Sequence, residues 1–302
     1  MRPRDWGLAL LVVTGWGLNF VVIRYALAEL PPLLLGALRF IAVAFPAILF
    51  IKPPPIPVRL LIAYGLLISF GQFALLFLAM YYGMPAGLAS LVLQSQMLFT
   101  LVFARAFLGE QWQWQQFAAM LVAGIGLVLL ASQSGATEMT LLGFVLTIAA
   151  ASSWGAGNII NRMIAQLPGV PVMSLIVWGG LVPILPFLLC SLLFEGGEAI
   201  SSSLANAGWQ SVWSVAYLAL VATFFGYGSW NYLMRHYPAS VVAPMTLLVP
   251  VVGLFSAWVI LGESLNGMQG LGILLILMGL GINVFGGRLN RFWQRQRASS
   301  AG

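Results

Sequence analysis

The chain has 302 residues, 61% of them hydrophobic and only 7% charged, with a net charge of +6. Soluble domains carry about 25% charged residues, so this composition excludes a water-facing globule and predicts an all-α integral membrane protein. Its basic residues are scattered between apolar segments, which excludes a nucleic-acid surface, and its single cysteine, Cys190, excludes an internal disulfide.

A membrane helix needs about 20 apolar residues. Ten segments qualify: 6–27, 32–51, 58–82, 85–107, 112–132, 140–162, 170–194, 210–234, 237–261 and 266–287. The first starts after Arg2 and Arg4 and ends near "ALA" at 26–28, as a cleaved signal peptide would. Arg24 beside that point argues for a retained span, as does the repeat described below. This span offers Thr14, Trp16 and Asn19. The second carries Arg39, the one charge clearly within a span. "PPPIP" at 53–57 marks a link. The third offers Ser69, Gln72, Tyr81 and Tyr82, and the fourth Ser90, Gln94, Ser95 and Gln96. The fifth and tenth are almost bare of polar groups, but their "AGIG" and "MGLGI" permit close packing, within one chain or between two. The sixth offers Ser152, Ser153, Trp154, Asn158 and Asn161. "EGGEAISSSLANAG" reads as a solvated loop with a surface helix. The eighth offers Thr223, Tyr227, Ser229, Trp230 and Asn231, and the ninth Thr246, Ser256 and Trp258 with Pro244 and Pro250.

The fourth and ninth segments share a frame. "PA" at 85–86 and 238–239, and "LGE" at 108–110 and 261–263, stand 153 residues apart. "GWGLNF" at 15–20 recurs loosely as "SWGAGNI" at 153–159. The chain thus divides into a five-helix repeat over 1–135, a second over 136–287, and a basic tail over 288–302. Five is odd, so the second half enters the membrane from the opposite face, the inverted-topology arrangement found in many transporters. Cytoplasmic termini place 11 of the 13 basic residues inside, all but Arg24 and Arg39, and put Glu29, Glu138, Glu195, Glu198 and Glu263 outside.

"WGLNFVVIR" in the first span, "LRF" in the second and "LGE" closing the fourth and ninth resemble the EamA family of the drug/metabolite transporter superfamily. The likeness covers nearly the whole chain. "MPAGLASLVLQ", "LLVPVVG" and "GLGINVFG" are most similar to bacterial exporters of aromatic amino acids or of cysteine and O-acetylserine. The resemblance implies efflux of amino acids across the inner membrane by alternating access. It also implies a central cavity ringed by spans 1, 3, 4, 6, 8 and 9, with 5 and 10 at the edge.

The residues point the same way. Polar groups inside a membrane tend to face a bundle interior or a wet cavity. Trp16, Asn19 and Phe20 share a helix face, as do Trp154 with Asn158 and Tyr227 with Asn231. Gln72 and Tyr81 join them as candidate lining residues. Amides, phenols and indoles can meet a carboxylate, an ammonium and an apolar side chain without fixed charge; they can also simply tie helices together. Gln94 and Gln96 lie about 200° apart on a helix, so one is expected to line the cavity, Gln94 by preference, and the other to bond a neighbour. Pro244 and Pro250 are expected to bend the ninth span for gating and to free a carbonyl. Arg39 either snorkels or contacts a substrate carboxylate. Glu110 and Glu263 are expected to be structural, each capping the span that follows it.

No carboxylate is expected at mid-depth, so uncoupled facilitated efflux is expected of neutral amino acids, including aromatic, methionine-, threonine- and cysteine-like ones. Efflux of drugs or other metabolites, with or without proton coupling, is the alternative. One histidine and one cysteine leave no material for an enzyme site. No metal, cofactor, nucleic acid or obligate protein partner is expected, only lipid and small-molecule cargo, in a monomer or weak dimer.

Overall fold

The computed structural model describes residues 1–134 and 139–300, with side chains described apart from those of 239–240 and 287–300. Ten helices are long and apolar enough to cross a membrane: α1 Pro3–Ala26, α2 Pro32–Leu49, α3 Val58–Tyr81, α4 Ala86–Leu108, α5 Trp114–Ser132, α6 Leu141–Ala165, α7 Val172–Glu195, α8 Trp209–His236, α9 Ala243–Leu261 and α10 Gly267–Gly286. Each coincides with an expected segment. No strand occurs among the described residues, as lipid requires of chains that satisfy their backbone within helices. A surface helix, Gly197–Ala205, fills the link between α7 and α8. The last helix continues in its backbone to Ser300. Glu138 and the side chains of the basic tail lie outside the described residues.

The packing has an exchange symmetry. α1 lies against α8 and α9, and α6 lies against α3 and α4. α2 meets α7, α4 meets α9, and α5 meets α10. Swapping each of the first five helices with the one five places later leaves this set unchanged. That is the geometry of two inverted halves.

Two departures from α geometry recur in matched places. α3 widens to a π-helix over Gly65–Gly71, and α8 does so over Tyr217–Phe225. α4 tightens to a 3₁₀ turn over Leu93–Ser95, and α9 over Ala243–Leu247. An offset of 153 carries 65–71 onto 218–224 and 93–95 onto 246–248. π turns disturb the regular ladder of backbone bonds. Here the opposite half supplies donors: Trp16 Nε1 bonds the Ala222 carbonyl at 2.9 Å, and Ser153 Oγ bonds the Leu67 carbonyl at 2.8 Å.

Small residues bring α5 and α10 together within one chain. A Cβ on Gly126 would lie 2.8 Å from the Gly272 carbonyl oxygen, and one on Gly279 would lie 2.7 Å from Ala123. Ala123 and Gly126 of "AGIG" and Gly279 of "MGLGI" make this contact, while Gly124 and Gly281 face open space.

The two ends of the bundle differ. α2, α4, α6, α8 and α10 start at the end remote from the N-terminus, and each start is capped there. Leu33 and Leu34 amides donate to Glu195 at 2.6 and 3.0 Å. Ala86 and Gly87 amides donate to Glu263 at 2.6 and 2.9 Å. The Ser211 amide donates to Glu29 at 3.1 Å, with the Ser211 hydroxyl on the same oxygen. Thr140 caps α6 and Asn266 caps α10. Carboxylates at helix starts answer both orphan amides and the positive end of the dipole. Each of the three glutamates reaches from one half to the other, so this remote end is tied shut across the repeat boundary.

Glu110 and Glu263 do not cap the helices that follow them. Those starts are already filled, α5 by a reciprocal Gln113–Gln116 pair and α10 by Asn266 with Gln269. Glu263 is left to reach α4, while Glu110 pairs with Arg162 at 2.8 Å near the end carrying the N-terminus.

Candidate functional site: a central cavity

A cavity of about 480 Å³ lies between the halves. α1 contributes Trp16, Asn19 and Phe20, α6 contributes Trp154, Asn158 and Asn161, and α8 contributes Tyr227, Trp230, Asn231 and Met234. From α3 come Tyr64, Ile68 and Gln72, and from α4 Ser90, Gln94, Gln96 and Met97. α9 adds Thr246 and Val249. Two helices not expected at the centre also reach it, α2 through Arg39 and α7 through Val172, Leu175 and Ile176. At the N-terminal end Asn161 and Met234 are exposed. At the other end the walls are Phe20, Leu76 and Ser90, all buried. The cavity thus reaches the end that carries the N-terminus and stops short of the glutamate-tied end.

Nine of the ten expected lining residues meet here. Tyr81 does not: it is the last residue of α3, 53% exposed and edge-on to Tyr82. An aromatic pair at a span terminus suits the membrane interface. Gln94 and Gln96 both line the cavity, against the expectation of one. The 3₁₀ turn over Leu93–Ser95 alters the helical phase between them. Their bonding still differs. Gln96 Oε1 accepts from Asn158 Nδ2 at 2.7 Å, and that same nitrogen donates to Thr100 Oγ1 at 3.0 Å.

The aromatic side of the cavity is a cluster rather than separate plates. The Trp16 ring lies 5.5 Å from Tyr227 and 5.3 Å from Trp230. Oδ1 of Asn19 and Oε1 of Gln72 are buried acceptors without partners. Tyr64 is a lining phenol not among the expected residues, which also left out apolar lining such as Leu76, Leu175 and Ile176. It precedes Ile68 and Gln72 by four and eight residues, so extending the Gln72 face backwards would have found it.

Neither Pro244 nor Pro250 lines this cavity. Pro244 sits in the first turn of the 3₁₀ segment, where a missing amide is tolerated. Pro250 is buried in the following α turn. The matching break in α4 has no proline at all.

Arg39 does not snorkel. It is 2% exposed, its guanidinium stands 3.9 Å over the Phe73 ring, and Nη2 donates to Thr223 Oγ1 at 3.3 Å. Nε and Nη1 are buried without partners. It is the one charged residue lining the cavity. No cluster of His, Cys, Asp or Glu suited to a metal occurs among the described residues.

Ten apolar helices in exchange-related halves around a polar-lined cavity define a membrane transporter of the inverted-repeat class. The EamA-like transporter family model matches residues 6–132 and 141–285, and the chain belongs to that family. It is 54% identical over 293 residues to a probable amino-acid metabolite efflux pump of Salmonella typhimurium, covering 96% of this chain and 98% of that one. It is 50% identical over 288 residues to a pump of the same description from Escherichia coli K12, covering 95% and 96%. A solved crystal structure shares the fold with a TM-score of 0.61 at 20% identity, over 95% of this chain and 99% of that one.

Proposed function

We propose that this protein is an inner-membrane exporter of neutral amino acids, among them aromatic and methionine-, threonine- or cysteine-like ones, working by alternating access without ion coupling. The observation that carries the reading is the cavity itself: neutral amides and aromatic rings around a single buried cation, with no carboxylate in the lining. The efflux-pump description of the two bacterial relatives supports the same class of cargo.

In this reading both termini are cytoplasmic and the cavity faces the cytoplasm, ready to load. The substrate side chain lies among Phe20, Ile68, Met97 and Ile176, and its carboxylate turns to Arg39. The amino group meets the carbonyls of Asn19 and Gln72 and the faces of Trp16 and Tyr227. Release to the outside requires the glutamate caps to open and the cytoplasmic ends to close. The symmetric breaks in α4 and α9, beside Pro250, are the hinges.

The bonding of the carboxylates supports uncoupled transport. Asp5, Glu29, Glu110, Glu195 and Glu263 are engaged at helix ends, so none of these five is placed to ferry a proton through the cavity. Purified protein in liposomes loaded with labelled methionine is expected to release it saturably with no ion gradient. No release of any amino acid would overturn the reading.

A further inference from the structure

Among the described residues Arg39 has no carboxylate partner. Its one hydrogen bond there is to the Thr223 hydroxyl, its guanidinium lies over the Phe73 and Phe40 rings, and Nε and Nη1 are buried without a hydrogen-bond partner. No lining residue is acidic. A buried cation left without a partner is costly, and a charge-assisted bond to an incoming carboxylate relieves that cost. No carboxylate lines the cavity to meet the amino group, only ring faces and neutral carbonyls. The unpaired acceptors, Asn19 Oδ1 and Gln72 Oε1, are neutral carbonyls. They accept an N–H from an ammonium or from an acylated nitrogen alike.

We propose that the cavity reads its substrate through the carboxylate at Arg39 and does not require the ammonium, so that N-acylated amino acids, which carry a net charge of −1, are cargo as well. This rests on the exporter reading above and narrows it. It has an energetic consequence. A zwitterion crosses the membrane without moving net charge, whereas an N-acylated amino acid moves one negative charge. An interior-negative potential therefore drives its exit, and a potential of about 60 mV holds a monovalent anion at about a tenfold ratio.

The test is counterflow of labelled methionine in proteoliposomes, competed by N-acetylmethionine and by methionine amide. The first lacks the ammonium and keeps the carboxylate; the second does the reverse. N-acetylmethionine is expected to compete within about threefold of methionine, and methionine amide at least tenfold more weakly. Labelled N-acetylmethionine should settle near the tenfold ratio under an imposed potential of about 60 mV, and methionine should ignore that potential. Arg39→Gln should lose both acids by at least tenfold, while Arg39→Lys retains measurable N-acetylmethionine transport; thermal unfolding of each variant separates lost binding from lost fold. Quenching of the cavity tryptophans gives a binding readout independent of transport.

Methionine movement with N-acetylmethionine inert, or with the amide as good a competitor as methionine, overturns this inference and leaves the exporter reading standing. Movement of N-acetylmethionine alone supports the inference and overturns the amino acid reading. Failure of every amino acid and of N-acetylmethionine to move or bind overturns both.

Discussion

Glu263 and Glu110 hold matching places 153 residues apart, yet only Glu263 caps its partner helix in the other half, at 2.6 Å from the Ala86 amide, while Glu110 lies 2.8 Å from Arg162. The same letters in the two repeats are in different use at the two ends of the bundle. In the proposed alternating-access cycle, that difference marks the remote end as the closed one. Glu263→Ala should cost the closed end roughly 0.5–2 kcal/mol, the usual effect of losing a cap. A Ser90→Cys reporter in a Cys190→Ser background would then be labelled several-fold faster by an impermeant thiol reagent applied from the α4 N-terminal side. Unchanged labelling would mean that the cap does not hold that end.

Glu110→Gln is expected to behave differently. Its ion pair with Arg162 is about half exposed, and such pairs contribute roughly 0–1 kcal/mol. Thermal stability should barely move. If Glu110 takes up the capping role when the end carrying the N-terminus closes, the variant should still lose transport rate. Full transport would assign Glu110 to the surface.

Gln94 and Gln96 separate by their bonds. Gln96→Ala removes the acceptor of the 2.7 Å bond from Asn158 but leaves Thr100 to satisfy it, so a loss of about 1 kcal/mol in stability is expected. Gln94→Ala should leave the melting temperature alone and raise the KM for methionine. A reversed pattern in calorimetry and flux would contradict these assignments.

Trp16→Phe keeps a ring beside Tyr227 and Trp230 but removes the indole donor to the Ala222 carbonyl. Leaving that π-helical carbonyl unmet should cost about 1–3 kcal/mol in stability. The check is thermal unfolding in detergent, and an unchanged midpoint would show that the π segment of α8 needs no donor from α1.

Gly126→Val would force a side chain against the Gly272 backbone, where a Cβ has 2.8 Å. Overpacking of this kind costs about 1–3 kcal/mol. Because the contact is within one chain, the variant should melt earlier with no change of size on a column. A change of oligomeric state at constant stability would contradict the α5–α10 pairing.

Much of this was legible in the letters. The span count and the 153-residue frame needed only composition and spacing. The polar residues at depth then marked most of the cavity, since such groups turn from lipid to the bundle interior. One source of failure is a local departure from ideal α-helix. The 3₁₀ turn at Leu93–Ser95 brings both glutamines to the cavity, and no proline announces it. The partners of Glu110 and Glu263 were missed because long-range caps depend on which helix ends meet, and spacing along the chain carries no record of that. Arg39 could have gone either way in sequence; only the neighbouring Phe73 ring and the depth of burial decide it.

The central claim is uncoupled export of amino acids through this cavity, and flux in liposomes tests it most directly, with labelled methionine, with and without a pH gradient. The account predicts saturable release down the methionine gradient at the same rate in both conditions. Uphill movement of methionine driven by the pH gradient would contradict it.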